Sequence, residues 1–140
     1  MGKDKQCDAV YRDSGEQQPP TERYALAPGK TLVLIPCGDG AYNFSTVAYV
    51  VSGGGAELAK FDYRSDTDDS HPQFLINAGW DEKTGELTSH YKGRGVADCG
   101  TSETYVWDGT RFRLVEARSM DSCRGVMDWP RVWHAEAVKR

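Results

Sequence analysis

The chain has 140 residues, of which 39% are apolar and 11% aromatic, which is enough for one folded domain and excludes disorder throughout. Its formal charge of −4 comes from 21 acidic and 17 basic residues, so we predict no nucleic-acid partner. No apolar run approaches the roughly 18 residues of a membrane-spanning helix, and we therefore predict no transmembrane segment.

The first 30 residues are polar and contain the run QQPP at 17–20. Such a segment has little to bury and favours extended or irregular conformations. We therefore predict an irregular lead-in over 1–30 and a single β domain over 31–140.

Strand patterns begin at residue 31. Residues 31–35 form a short apolar run that Pro36 closes, and 45–51 form a second run that three glycines end. With a turn at 38–40 between them, they predict a hairpin. Residues 57–63 alternate polar and apolar side chains, which predicts a third strand; a short helix over 56–61 is the alternative.

Two further hairpins follow. Residues 74–80 and 86–92 flank a turn, and 104–107 and 110–115 flank Asp108 and Gly109, a pair typical of a type I′ turn with positive φ at both residues. Residues 132–138 predict a last strand. The fold class is therefore all-β, with about seven antiparallel strands in a meander of hairpins, as a small sandwich or an open barrel. An α+β fold with one short helix is the alternative.

Four cysteines stand at spacings of 30, 62 and 24 residues, and none forms the C-x-x-C pair of zinc ribbons and thioredoxin-like sites. An even number at wide spacing suits two disulfides, for which three connectivities are possible. We prefer Cys7 with Cys37 and Cys99 with Cys123, because each pair closes a loop of about 25 to 31 residues and would stabilise the fold by roughly 3 to 4 kcal/mol. Four buried thiols in a reducing compartment are the alternative.

Catalytic candidates are few. No serine lies in a G-x-S-x-G elbow, and the histidines stand at 71, 90 and 134. We expect His90, Asp98 and Glu103 on adjacent strands, where a histidine beside a carboxylate can act as general acid and base. A small hydrolase-type enzyme that uses His90 with a nearby carboxylate is therefore the alternative function.

Binding candidates lie near turns. Alternating glycines at 93 and 95 indicate a bulge, where Arg94 could pair with Asp98 or hold an anionic group; a purely structural corner is the alternative. If Tyr42, Trp129 and Trp133 share one face, they form a platform for a protein or a glycan, whereas core packing is the commoner fate of such side chains.

No metal site and no cofactor are predicted. The acidic run at 62–69 lacks the glycine and glutamate positions of an EF-hand, and the glycines at 38 and 40 are not followed by the third glycine of a dinucleotide-binding loop.

A set of short motifs occurs in order along the chain: PCGDGAYN at 36–43, NAGWD at 77–81, KGRGVADCG at 92–100, WDGTRFRL at 107–114, CRG at 123–125 and WP at 129–130. As a set they resemble the C-terminal half of the bacterial family catalogued as domain of unknown function eleven-seventy-six. The resemblance implies an exported, periplasmic protein with Cys99 and Cys123 as a disulfide pair, and it implies no reaction.

The chain shows neither a signal-peptide h-region nor the N-terminal half of that family, which predicts a processed or expressed fragment. We therefore expect an exported β domain, periplasmic or secreted, that acts as a non-catalytic module and binds a protein or glycan partner in the cell envelope.

Overall fold

The computed structural model describes residues 4–40, 42–62, 74–125 and 128–136. Within them the chain forms one helix and ten strands. The helix is α1 (Lys5–Ser14), and the strands are β1 (Glu22–Ala27), β2 (Lys30–Asp39), β3 (Phe44–Ser52), β4 (Gly55–Leu58), β5 (Phe74–Ile76), β6 (Gly79–Asp81), β7 (Glu86–Lys92), β8 (Gly100–Trp107), β9 (Phe112–Met120) and β10 (Arg131–His134).

The strands form two antiparallel sheets. Sheet A has the order β1-β2-β3-β4, with β5 also paired to β3, and sheet B has the order β10-β9-β8-β7-β6. Strands that follow each other in the chain are mostly neighbours in a sheet, as expected for hairpins and meanders. The predicted all-β fold is confirmed as a sandwich with one short helix, and the described residues contain ten strands where about seven were predicted.

The core lies between the two sheets, and a second apolar layer lies on the far side of sheet A. Along β2, Leu32 and Leu34 belong to the cluster between the sheets, whereas Val33 and Ile35 pack with Cys7 of α1. Because alternate residues of a strand point to opposite faces, this fully apolar run is buried on both sides. The face of sheet B that carries Leu87, Tyr105 and Leu114 contributes to the cluster between the sheets, and we call it the inner face.

The prediction of an irregular lead-in over 1–30 is wrong, because α1 and β1 lie within that range. The Asp4 side chain caps α1 by accepting two N–H groups of its first turn, at 2.9 and 3.0 Å. The two buried residues of the helix, Cys7 and Tyr11, are one turn apart and face sheet A. Polar composition concealed the helix because this two-residue stripe, fixed by the bond from Cys7 to Cys37, is all that it buries.

Two local predictions also need correction. Pro36 does not end β2, which continues to Asp39 through an irregularity between Pro36 and Gly38. The alternative helix over 56–61 is absent from this described segment, which contains β4 in its place. The acidic run beyond Asp62 lies outside the described residues, as does the end of the strand predicted over 132–138.

The loop between β8 and β9 differs from the predicted two-residue turn. Trp107 pairs with Phe112, so four residues form the connection, and only Gly109 among them has a positive φ, of 107°. The Asp108 side chain accepts the N–H groups of Thr110 and Arg111 at 2.8 and 2.9 Å. This side-chain turn replaces the strained backbone that a type I′ turn requires.

The described residues contain no helix long and apolar enough to cross a membrane.

Candidate functional site

The structure separates His90 from the carboxylates proposed as its partners. Ser89 of β7 lies opposite Glu103 of β8, and His90 lies opposite Ser102. Because successive strand residues point to opposite faces, Glu103 lies on the inner face of sheet B and His90 on the outer face. Asp98 lies in the connection between β7 and β8. The acid and base of the hydrolase hypothesis are therefore not brought together.

His90 packs against Trp129 on the outer face, with ring centroids 4.7 Å apart. Burial, with a smaller contribution from the charge of Lys92, lowers the pKa of His90, so the ring is neutral at pH 7. Among the described residues, neither His90 Nε2 nor Trp129 Nε1 has a hydrogen-bond partner. Trp129 is only 5% exposed, so it covers His90 and is not part of an exposed aromatic platform.

Asp98 and Arg94 form a structural corner. Asp98 is 1% exposed, and it accepts Arg94 Nε at 2.6 Å and the Gly125 N–H at 2.7 Å, with a second Arg94 nitrogen in contact. The guanidinium holds the pKa of Asp98 well below its usual range. Arg94 also donates to the carbonyl of Cys123 at 3.3 Å. These contacts engage Nε and one terminal nitrogen of Arg94 in holding the corner together.

Both preferred disulfides are present, Cys7 with Cys37 and Cys99 with Cys123. Asp98 lies beside the second, and its carboxylate and the two sulfurs come within 4.8 Å of one another. Sulfurs in a disulfide are not the thiolates that bind a metal ion. This cluster is therefore not a metal centre.

A pair of asparagines that the sequence did not single out joins the two sheets. Asn43 donates to the carbonyl of Lys92 at 2.8 Å and accepts its N–H at 3.0 Å. Asn77, which has a positive φ of 47°, donates to Asn43 Oδ1 at 3.0 Å and to the His90 carbonyl at 2.9 Å. Tyr42 lies beside this junction and donates to Gly93. For Asn77 a signal was available, because an asparagine next to Ala78 and Gly79 after a strand run is typical of a left-handed conformation.

The inner face of sheet B carries a cavity of about 500 Å³. Its position follows from an extra residue in β9. Tyr105 pairs with Leu114, but Thr104, which precedes Tyr105 in β8, pairs with Glu116, so Val115 is the extra residue. This bulge turns Ala117 toward the inner face, where it lies opposite Glu103 on one side and Trp133 on the other. The small Ala117 side chain leaves space between the carboxylate and the indole.

The walls of this cavity are largely apolar. Leu114 and Ala117 line it together with Val132 and Trp133 of β10, which are 64% and 52% exposed. Trp133 Nε1 donates to the Leu114 carbonyl at 3.4 Å, which fixes the position of the indole. The cavity thus brings together two of the predicted site residues, Glu103 and Trp133.

Glu103 has no hydrogen bond or ion pair within the described residues. Burial raises the pKa of its carboxyl, since the charged form loses solvation without gaining a partner. Asp62 and Arg118 also line the cavity, but Arg118 is paired with Glu116 at 2.7 Å and Asp62 lies 3.8 Å from Arg113. Glu103 is therefore the unpaired charge among the described residues of this cavity.

A second cavity of about 500 Å³ lies between the β3–β4 turn and the β8–β9 loop. Its lining includes Lys30 and Trp107. Lys30 donates to the Gly109 carbonyl at 3.1 Å and lies 5.4 Å from the centroid of the Trp107 ring. Lys30 is therefore already engaged within this cavity.

The comparisons agree with the motifs on which the resemblance rests. The family described as "Protein of unknown function (DUF1176)" matches residues 2–136. The chain belongs to this family. A relative, the uncharacterized protein YpfG of Escherichia coli (strain K12), is 37% identical over 117 residues, which cover 78% of this chain and 33% of YpfG. The chain thus spans about a third of the length of that relative. No solved structure matches the chain.

Proposed function

We propose that the chain is a non-catalytic binding module of the bacterial cell envelope, and that it binds a protein partner at the inner-face cavity. The observation that carries this proposal is the meeting of Glu103 and Trp133 in one cavity of about 500 Å³. Cavities of this size, with apolar walls and a few polar groups, are typical of ligand sites. Exposed tryptophan is also enriched where proteins bind one another.

The proposed compartment is the periplasm or the extracellular space. Its support is the pair of disulfides, Cys7 with Cys37 and Cys99 with Cys123, neither of which is a C-x-x-C redox site. Structural disulfides form and persist in oxidising compartments.

The competing hydrolase function has less support. General acid-base chemistry needs its two groups within reach of one substrate. His90 lies on the outer face under Trp129, Glu103 lies on the inner face, and Asp98 is engaged by Arg94. None of the three pairs with another, which favours a binding function over catalysis.

A photo-crosslinking experiment tests the binding function. The substitution Val132→benzoylphenylalanine places a crosslinker at the rim of the cavity, and Lys83→benzoylphenylalanine, in the exposed turn between β6 and β7, is the matched control. In cells that produce the protein, irradiation is expected to give one discrete, protease-sensitive adduct at position 132, which Trp133→Ala abolishes.

Two results would contradict the proposal. The same adducts at positions 132 and 83 would mean that crosslinking is not specific to the cavity. An adduct at position 132 that a glycosidase removes and a protease does not would replace the protein partner with a glycan.

A further inference from the structure

The cavity has an ordered chemical layout across three strands. Glu103 of β8, Ala117 of β9 and Trp133 of β10 form one row on the inner face. Neighbouring strands are about 4.8 Å apart, so the strands that carry the acid and the indole are separated by roughly 10 Å. A slender chain with a charged end fits over Ala117 between them.

The electrostatics of this row favour a cation. Other charges at the cavity are balanced, since Arg118 contacts Glu116 and Asp62 lies near Arg113. Glu103 alone has lost solvation without gaining a partner in the described part of the chain. A neutral ligand would leave that carboxylate uncompensated, and an anion would be repelled, whereas a cation would restore an ion pair.

We infer that the inner-face cavity binds the cationic end of an aliphatic chain, as carried by a lysine or arginine side chain of the partner protein. The charged end lies between the Glu103 carboxylate and the Trp133 indole, where it gains both an ion pair and a cation–π contact. The alkyl stem packs against Leu114, Ala117 and Val132, as the stems of long cationic side chains do on apolar surfaces. This inference rests on the proposed function, since it names the chemistry of what the same cavity binds.

An NMR titration with matched probes tests the inference. Hexylammonium and hexanol have the same alkyl chain and differ in charge, and the indole N–H signal of Trp133 reports occupancy. We expect hexylammonium to bind at least about tenfold more tightly, a difference that corresponds to about 1.4 kcal/mol. Glu103→Gln is expected to remove this preference, and Glu82→Gln, at an exposed turn position, to preserve it.

The pH dependence separates an ion pair from simple packing. Binding of hexylammonium to the wild type is expected to strengthen as pH rises and Glu103 ionises, whereas binding to the Glu103→Gln variant stays constant. Butylguanidinium and hexyltrimethylammonium extend the series. Tighter binding of hexylammonium and butylguanidinium supports a lysine or arginine side chain. Tighter binding of hexyltrimethylammonium would overturn that choice in favour of a lipid headgroup.

The failures of the two proposals can be told apart. Equal binding of hexanol and hexylammonium would overturn the cationic ligand and leave the cavity as a binding site. If none of the probes shifts the Trp133 signal while benzoylphenylalanine at position 132 still crosslinks to a partner protein, the ligand class is wrong and the binding function stands. If both experiments are negative, both proposals fall.

Discussion

Asp98 lies in the connection that leads into β8 and Glu103 lies within β8, and the surroundings of the two acids are opposite. Asp98 accepts hydrogen bonds from Arg94 and from the Gly125 N–H, whereas Glu103 accepts none within the described residues. The ion pair lowers the pKa of Asp98, and burial raises that of Glu103. A carboxylate whose partners are built in stabilises the framework, and one without partners can gain most from a ligand.

The backbone around each acid shows the same contrast. The Asp98 corner is closed by the bond between Cys99 and Cys123, and the Gly125 N–H completes the set of donors. The Glu103 cavity is bordered by β10, an edge strand of four exposed residues that pairs only with β9 among the described strands. The first region is cross-linked, and the second is open along one side.

The strongest way to break this contrast is to remove the cross-link at the Asp98 corner. Cys99→Ala with Cys123→Ala is expected to lower the free energy of unfolding by about 3 to 4 kcal/mol, because the closed loop no longer restricts the unfolded chain. Chemical denaturation measures the loss. Cys7→Ala with Cys37→Ala, which opens a loop of similar length, is the matched control. A loss below about 1 kcal/mol at the first pair would show that the corner does not depend on its cross-link.

The next largest effect is expected from Asp98 itself. Asp98→Ala leaves the Gly125 N–H and the Arg94 guanidinium without their acceptor. Arg94 is 51% exposed and can turn to water, which limits the loss. We expect the midpoint of thermal unfolding to fall by about 5 to 8 °C, measured by calorimetry. An unchanged midpoint would mean that this acid is no more structural than Glu103.

Much of the framework could be predicted from local pattern. Alternating and apolar runs located β2, β3 and β7, and the cysteine spacing favoured the two pairs that form. Helix α1 escaped because its polar sequence buries little besides Cys7 and Tyr11. Sequence pattern therefore located the elements in which a continuous or alternating run of residues is buried, and it missed the helix that buries only two side chains.

The site could not be predicted, because it depends on register across three strands. Without the bulge opposite Thr104 and Tyr105, Ala117 would point outward and would not lie between Glu103 and Trp133. Sequence pattern does not specify where one extra residue enters a strand. His90 and Glu103 were expected together for a simpler reason: the sequence does not give the register of β7 on β8, and this register places the two side chains on opposite faces.

His90 extends the comparison to the outer face. Its pKa is lowered by burial and by Lys92, so the unfolded chain binds the proton more readily than the folded one. The contribution of His90 to stability is therefore expected to be constant above about pH 6.5 and to decrease below it. We expect the unfolding midpoint to fall by about 2 to 4 °C from pH 7 to pH 5. His90→Gln should flatten this dependence in calorimetry; an equal slope in both proteins would assign the acid sensitivity to other groups.

The smallest expected effect concerns Glu103, whose ionisation changes stability in the opposite direction with pH, and it tests the comparison with Asp98 most directly. The raised pKa of Glu103 means that its charged form is less stable in the folded than in the unfolded protein, so its ionisation destabilises the fold as pH rises above 4.5. Glu103→Gln is therefore expected to raise the unfolding midpoint by about 1 to 3 °C at pH 7 and to leave it unchanged below pH 4. Glu82→Gln should change neither. A lower midpoint for Glu103→Gln at pH 7 would mean that Glu103, like Asp98, is held by partners of its own, and the difference between the two regions would disappear.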